Sequence, residues 1–98
     1  MRLAILLTAS YGTQDRSTVL AITRAALACS HHVSIFMMDD GIFNAAEVSD
    51  LIGDRCEVVI CSYNAAQRGL TQEQGPLLGG QHDWARMVSG ADRVISFG

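Results

Sequence analysis

Lysine is absent from this chain, so its seven basic residues are all arginine, against ten acidic residues. The net charge is −3, and the arginines are scattered rather than clustered. Proteins that hold a nucleic-acid backbone need a basic patch that neutralises phosphates. The sequence therefore argues against direct binding of DNA or RNA, although it leaves room for a protein partner that handles RNA.

Long apolar runs are missing as well. The run Leu3–Leu7 follows Arg2 and superficially resembles a signal peptide, but it is too short for a signal sequence or a membrane span. A buried first strand explains it better. We expect a soluble, cytoplasmic protein with no membrane contact.

Cysteine is sparse, and its spacing excludes two common uses. Cys29, Cys56 and Cys61 are an odd number, and they form no C-x-x-C pair and no metal-ligand pattern. A secreted disulfide framework favours an even and denser set. We expect reduced thiols, no metal site and no cofactor.

The size and the apolar content together predict one domain in an assembly. A chain of 98 residues fits a single domain, 1–98, with a modest core. Yet 49% of the residues are hydrophobic and the mean hydropathy is +0.21. Because one small core does not hide that many apolar side chains, we expect an oligomer.

Strand-like and helix-like segments alternate along the chain. The segments with strand character are Leu3–Leu7, Val33–Met37, Glu57–Ile60 and 92–98. The helical patterns begin near Asp15 and end near Ser30–His31, and recur at 45–53, 63–68 and 81–91, while 71–81 has the Gly and Pro content of a loop. This order predicts a three-layer α/β/α fold with a mostly parallel sheet of four or five strands.

Ligands of open parallel sheets bind at the carboxyl ends of the strands. Three segments should converge there, namely 8–13, 39–44 and 61–64. From these segments we single out Tyr11, Gly41 and Asn64 as candidate binding residues. Asp39 and Asp40 precede Gly41 and are better explained by a turn than by a cation site.

Cys61 is the most chemically able residue at this edge. It ends the apolar run Val58–Ile60, and a helix-compatible segment begins just after it. The free N–H groups of a helix start stabilise a thiolate, and Arg68 would add positive potential or face solvent. The alternative is an inert, buried cysteine, because cysteine is among the residues most often buried.

The other cysteines and the histidines have weaker claims. Cys29 lies on the apolar stripe of the first helix and should belong to the core. Cys56 begins the third strand, about 15 Å from Cys61, which is too far for a disulfide. His31 and His32 should be solvated, whereas His82 follows a Gly-rich loop and is a candidate proton donor or binding residue.

Four segments in this order resemble the DsrE/DsrF-like sulfur-relay family. They are the apolar first strand with its polar loop, "ALACSHHVSIFMMDDGI", "VVICSYNAAQRGL" and "GADRVISFG". The resemblance implies a cytoplasmic sulfurtransferase subunit that forms a homotrimer, a homohexamer or a hetero-oligomer. It also implies that Cys61 carries sulfur as a persulfide between a donor and an acceptor protein.

Two other readings stay open beside the sulfur carrier. A non-catalytic subunit that binds a small ligand or supports a larger complex would have the same fold, because fold alone does not certify chemistry. Redox sensing at Cys61 would need a nearby resolving cysteine, which the sequence does not offer. The reactivity of the Cys61 thiol discriminates between the carrier and the binding subunit.

Overall fold

The computed structural model describes residues 1–10, 14–70 and 76–98. Within these ranges the strands are β1 (Arg2–Leu7), β2 (His32–Met37), β3 (Cys56–Cys61), β4 (Leu77–Gly79) and β5 (Arg93–Phe97). The helices are α1 (Gln14–Ala28), α2 (Ala45–Ser49), α3 (Ser62–Gln67) and α4 (Gln81–Ser89), and a 3-10 helix, Asp39–Asn44, lies between β2 and α2. None of the described helices is long and apolar enough to cross a membrane.

The strands form one parallel sheet in the order β4-β3-β2-β1-β5. Successive side chains of a strand point to opposite faces, so each strand feeds two separate cores. One core joins Ile5, Ile35 and Val58 to residues of α1 and α2. The other joins Phe36, Val59 and Cys61 to Met87 of α4. The three-layer parallel fold predicted from the sequence is therefore confirmed.

The short strand β4 was predicted as loop. It has only three residues and pairs on one side only, with Leu77 opposite Val59 and Gly79 opposite Cys61. Periodicity needs a longer segment than this to be visible. The sheet thus has five strands in the described ranges, and β4 is the edge strand beside Cys61.

Two helix ends also differ from the prediction. The α2 helix ends at Ser49 rather than at Gly53, and Gly53 instead pairs with Cys56 in an isolated antiparallel bridge. The α1 helix ends at Ala28, and Ser30 takes a left-handed φ of 64° that turns the chain toward β2. Both ends are followed by local backbone features, the Gly53–Cys56 bridge and the Ser30 turn, which the periodic patterns do not reveal.

Candidate functional site

The segments that follow β1, β2 and β3 meet at one edge of the sheet, as predicted. Met37 pairs with Ile60, so Met38 and Cys61 lie at the same level of neighbouring strands. Met38 also donates its N–H to the Leu7 carbonyl at 3.2 Å, which ties the end of β2 to the end of β1. Residues 8–10 belong to this edge, whereas Tyr11 lies outside the described residues.

Cys61 ends β3 and is the N-cap residue of α3. The residue is 7% exposed and belongs to the core cluster on the α4 face, against which Met38 and Trp84 also pack. Among the described residues, no N–H group of α3 forms a capping hydrogen bond with the Cys61 sulfur. Within its described residues, the structure thus shows no hydrogen bond from the helix start to the sulfur, and the thiol lies at the rim of an apolar layer.

Asn64 is a buried polar residue three positions after Cys61, with 7% of its surface exposed. Its Oδ1 accepts a hydrogen bond from the Asp39 backbone N–H at 2.9 Å, and its Nδ2 donates to Gln67 Oε1 at 3.0 Å. Asp39 has a left-handed φ of 51°, which is rare for a residue other than glycine. Asn64 thus connects α3 to the start of the 3-10 helix.

Arg68 points toward the same turn. Its Nε donates to Asp40 Oδ1 at 3.0 Å, and its Nη1 donates to Gln67 Oε1 at 3.4 Å. The positive charge expected near Cys61 is therefore offset by a carboxylate. Arg68 therefore connects α3 to the 3-10 helix through its ion pair with Asp40.

Gly41 has a backbone reason to be glycine. A Cβ at this position would overlap the Leu7 carbonyl and crowd Thr8 Cα at 2.9 Å, so the turn can approach β1 only without a side chain. Its N–H donates to the Met38 carbonyl at 3.0 Å. Gly41 therefore allows the turn after β2 to lie against the end of β1, and a role in binding stays a prediction.

Asn44 is a residue at this edge that was not predicted from the sequence. It is fully buried, and its Nδ2 donates to the Ala9 carbonyl at 2.9 Å and to the Gly41 carbonyl at 3.1 Å. Asn44 therefore holds the loop after β1 against the 3-10 helix. The available signal was a lone polar residue between apolar neighbours in "IFNAA".

His82 lies in the first turn of α4, which follows the edge strand β4. Its side chain is 86% exposed, and Nε2 lies 3.3 Å from Asp83 Oδ2. Asp83 also accepts a hydrogen bond from the Gly80 N–H at 2.9 Å. The ring therefore contacts its own helix start, and proton donation by His82 stays a prediction.

The remaining cysteines and histidines lie at the opposite end of the sheet. The prediction that Cys29 belongs to the core is wrong, because α1 ends one residue earlier and leaves Cys29 exposed. Cys56 is buried, and burial together with the neighbouring Glu57 carboxylate raises the pKa of its thiol to about 11. His32 is exposed as predicted, whereas His31 is half-buried and contacts the N-terminal amine at 3.1 Å.

Comparisons with known proteins agree on one family and one fold. The sequence profile of the DsrE/DsrF-like family matches residues 1–97. A protein named sulfurtransferase TusD from Sodalis glossinidius is 35% identical over 60 residues, which is 60% of this chain but only 46% of that protein. Sulfurtransferase TusD from Serratia proteamaculans is 26% identical, with 90% of this chain and 92% of that protein covered.

Two further relatives extend the comparison. An uncharacterized protein of Methanopyrus kandleri is 31% identical, with 91% of this chain and 87% of that protein covered. The crystal structure of the YchN protein from E. coli superposes with a TM-score of 0.72 over 98% of this chain and 97% of that one. At 19% sequence identity, this last likeness shows a shared fold.

Proposed function

This chain belongs to the DsrE/DsrF-like family, and on that premise we propose that it carries sulfur between proteins as a persulfide on Cys61. The single observation that carries the proposal is the position of Cys61. It is a cysteine at the carboxyl end of a central parallel strand, on the sheet edge where such folds bind ligands. Two matched relatives with the name sulfurtransferase support the same chemistry.

The proposed reaction is a pair of thiol exchanges. The Cys61 thiolate attacks the outer sulfur of a donor protein's persulfide, so a bond forms to Cys61 Sγ while the donor's S–S bond breaks. The donor leaves as a thiolate, and Cys61 holds the sulfur as Sγ–SH. An acceptor thiolate then attacks that outer sulfur and releases the Cys61 thiolate. Atoms and charge balance in both steps, and no external oxidant or reductant is consumed.

The residues around Cys61 have supporting roles in this proposal. Gly41, Asn64 and Arg68 set the shape of the edge, while Tyr11 and His82 are the candidates for contact with the partner protein. Exchange of sulfur requires a donor and an acceptor protein that bring their own thiols to this edge. We place the reaction in the cytoplasm, where thiols stay reduced.

An oligomer is part of the proposal as well. Several large apolar side chains are exposed in the described part of this chain, and exposed apolar surface is where subunits associate. The most exposed of those on regular elements are Tyr63, Leu77, Leu78 and Val94. A homotrimer, a homohexamer or a hetero-oligomer with related subunits would cover such side chains.

Mass spectrometry tests the carrier directly. The protein with Cys29→Ser, which removes the exposed thiol, is incubated with a cysteine desulfurase and cysteine. Cys61 should gain about 32 Da, the mass of one sulfur atom, and Cys61→Ser should abolish the gain. Sulfur on Cys56 alone, or an unchanged mass, contradicts the proposal.

One observation favours a second candidate, a non-catalytic binding or structural subunit. Cys61 is 7% exposed and has no capping contact with α3, as an inert core cysteine would. In that case Cys61→Ser would leave ligand or partner binding intact. A Cys61 that takes up no sulfur from the desulfurase, in a protein whose partner binding survives Cys61→Ser, would support this candidate over the carrier.

A further inference from the structure

A closed ring of contacts joins the turn after β2 to α3 and the residue after it, and we call it the 39–68 ring. Its five members are Asp39, Asp40, Asn64, Gln67 and Arg68. Asn64 Oδ1 accepts from the Asp39 N–H at 2.9 Å, and Asn64 Nδ2 donates to Gln67 Oε1 at 3.0 Å. Gln67 Oε1 also accepts from Arg68 Nη1 at 3.4 Å, and Arg68 Nε donates to Asp40 Oδ1 at 3.0 Å. The peptide bond between Asp39 and Asp40 closes the ring.

The ring lies on the side of Cys61 where pairing with β2 has ended, whereas Gly79 of β4 still pairs with Cys61 on the other side. The paired register of β2 and β3 ends at Met37 and Ile60, one residue before Cys61. The α3 helix that follows has only six residues, which is too short to be stable without tertiary contacts. Fixing α3 to the turn after β2 therefore also fixes the backbone on the carboxyl side of Cys61.

Asn64 is the buried member of the ring. Its amide is satisfied at both ends, and its acceptor meets a backbone N–H that the left-handed Asp39 presents. Replacement of Asn64 would leave that N–H without its partner at a partly buried site, whereas the ion pair of Arg68 and Asp40 is more exposed. Asn64 is thus the residue on which the ring depends most.

We propose that Asn64 is a positioning residue for Cys61, and that the 39–68 ring, by fixing the backbone after Cys61, keeps the thiol seated beneath the α4 layer and aligned for a partner docked at the strand edge. The inference rests on the proposed function and adds a division of labour to it. Cys61 performs the exchange, and the ring holds the backbone that keeps the sulfur in its buried position. Loosening the ring should let small reagents reach the Cys61 sulfur. It should also misalign Cys61 with the persulfide of the donor protein.

The experiment measures two rates on each variant in a Cys29→Ser background. One is the alkylation of Cys61 by iodoacetamide, and the other is persulfide uptake from a cysteine desulfurase. Asn64→Ala should speed alkylation by roughly fivefold to tenfold, as the loss of a buried hydrogen bond allows, and should slow uptake by a similar factor. Gln67→Ala breaks the ring at an exposed residue and should change both rates in the same directions, less strongly.

Val19→Ala is the matched control. Val19 is fully buried in α1, in the core on the face of the sheet away from Cys61, and it forms none of the ring's hydrogen bonds, so its truncation lowers stability without removing a contact of the ring. At matched free energy of unfolding, Val19→Ala should leave the ratio of the two rates unchanged. The same unchanged ratio in Asn64→Ala and Gln67→Ala would overturn the inference.

The two arms also separate this inference from the proposed function. If the parent protein takes up no persulfide, the carrier proposal fails while alkylation still reports on the ring. In that case, faster alkylation in Asn64→Ala than in the stability-matched Val19→Ala supports the proposal that the ring fixes the position of Cys61. Equal alkylation rates overturn it. Should Asn64→Ala not fold, Gln67→Ala gives the same decision.

Discussion

The Arg68 guanidinium donates from Nε to the Asp40 carboxylate at 3.0 Å, and so joins the helix after Cys61 to the turn after β2. From the sequence, Arg68 was predicted to add positive potential near Cys61 or to face solvent. The pairing with Asp40 offsets that potential and gives the side chain a structural role. The two residues are 28 positions apart in the chain, so only the fold brings them into contact.

Replacing Arg68 should therefore have a small and salt-sensitive effect. Both side chains of the pair are partly exposed, and exposed ion pairs contribute about 1 kcal/mol or less. Arg68→Gln should lower the free energy of unfolding by that amount, and the loss should shrink in about 1 M salt. Urea denaturation at low and high salt measures it. A loss of several kcal/mol at both salt concentrations would mean that the pair is more than a surface contact.

Gly41 should be far less tolerant of a side chain. A Cβ at Gly41 would overlap the Leu7 carbonyl, so Gly41→Ala should lower the free energy of unfolding by at least about 2 kcal/mol. Gly53→Ala is the control, because a Cβ there meets nothing within 4 Å and should change stability by no more than about 0.5 kcal/mol. Thermal and denaturant unfolding compare the two. Equal stabilities of both variants would contradict the close approach of the turn to β1.

The three cysteines should react with iodoacetamide in the order Cys29, Cys61, Cys56. Cys29 is exposed, Cys61 is 7% exposed, and Cys56 is 3% exposed with a pKa of about 11. The reactive species is the thiolate, so both burial and a raised pKa slow the reaction. Peptide mapping after timed alkylation at neutral pH gives the order. Labelling of Cys56 before Cys61 would be incompatible with the burial and charge around Cys56.

Cys56 should also make the fold less stable in alkali. Its pKa rises from 9.0 to about 11 because burial and Glu57 disfavour the thiolate in the folded state. The folded chain therefore binds this proton more tightly than the unfolded chain does, so stability is unaffected below pH 9.0 and falls as the pH rises toward 11. The expected loss by the end of this window is roughly 2 kcal/mol.

A Cys56→Ala variant isolates this effect. The variant loses some stability at all pH values through the smaller side chain, but it should lack the additional decline that Cys56 causes above pH 9.0. Subtracting the two curves of unfolding free energy against pH removes the contributions of tyrosines and other cysteines. Parallel curves across this range would show that Cys56 titrates normally in the folded protein.

Much of the fold was predictable because the buried strands carry continuous apolar runs. Leu3–Leu7, Val33–Met37 and Glu57–Ile60 all lie within central strands of the observed sheet. Their alternation with helical patterns predicted parallel pairing, and parallel pairing placed Cys61 at the carboxyl edge. The strand β4 escaped prediction because three residues paired on one side have no period of their own.

Single residues were harder to place than elements. Cys29 continued the apolar stripe of α1 in the sequence. In the structure the helix ends at Ala28, and Cys29 is exposed. Asn44 and Asn64 are both buried, and each forms a hydrogen bond to a backbone group that the fold brings close, through Nδ2 of Asn44 and Oδ1 of Asn64. Whether an amide finds such partners depends on contacts far apart in the sequence.

The sequence by itself determined the alternating strands and helices, the parallel sheet and the strand end that carries Cys61, because hydrophobic periodicity is local to each segment. Tertiary structure alone decided the surroundings of the thiol. It buried Cys61 beneath the α4 layer, left its sulfur without a capping hydrogen bond from the described part of α3, and paired Arg68 with Asp40. The physical reason is that burial, charge pairing and hydrogen bonding depend on neighbours that only the folded chain assembles.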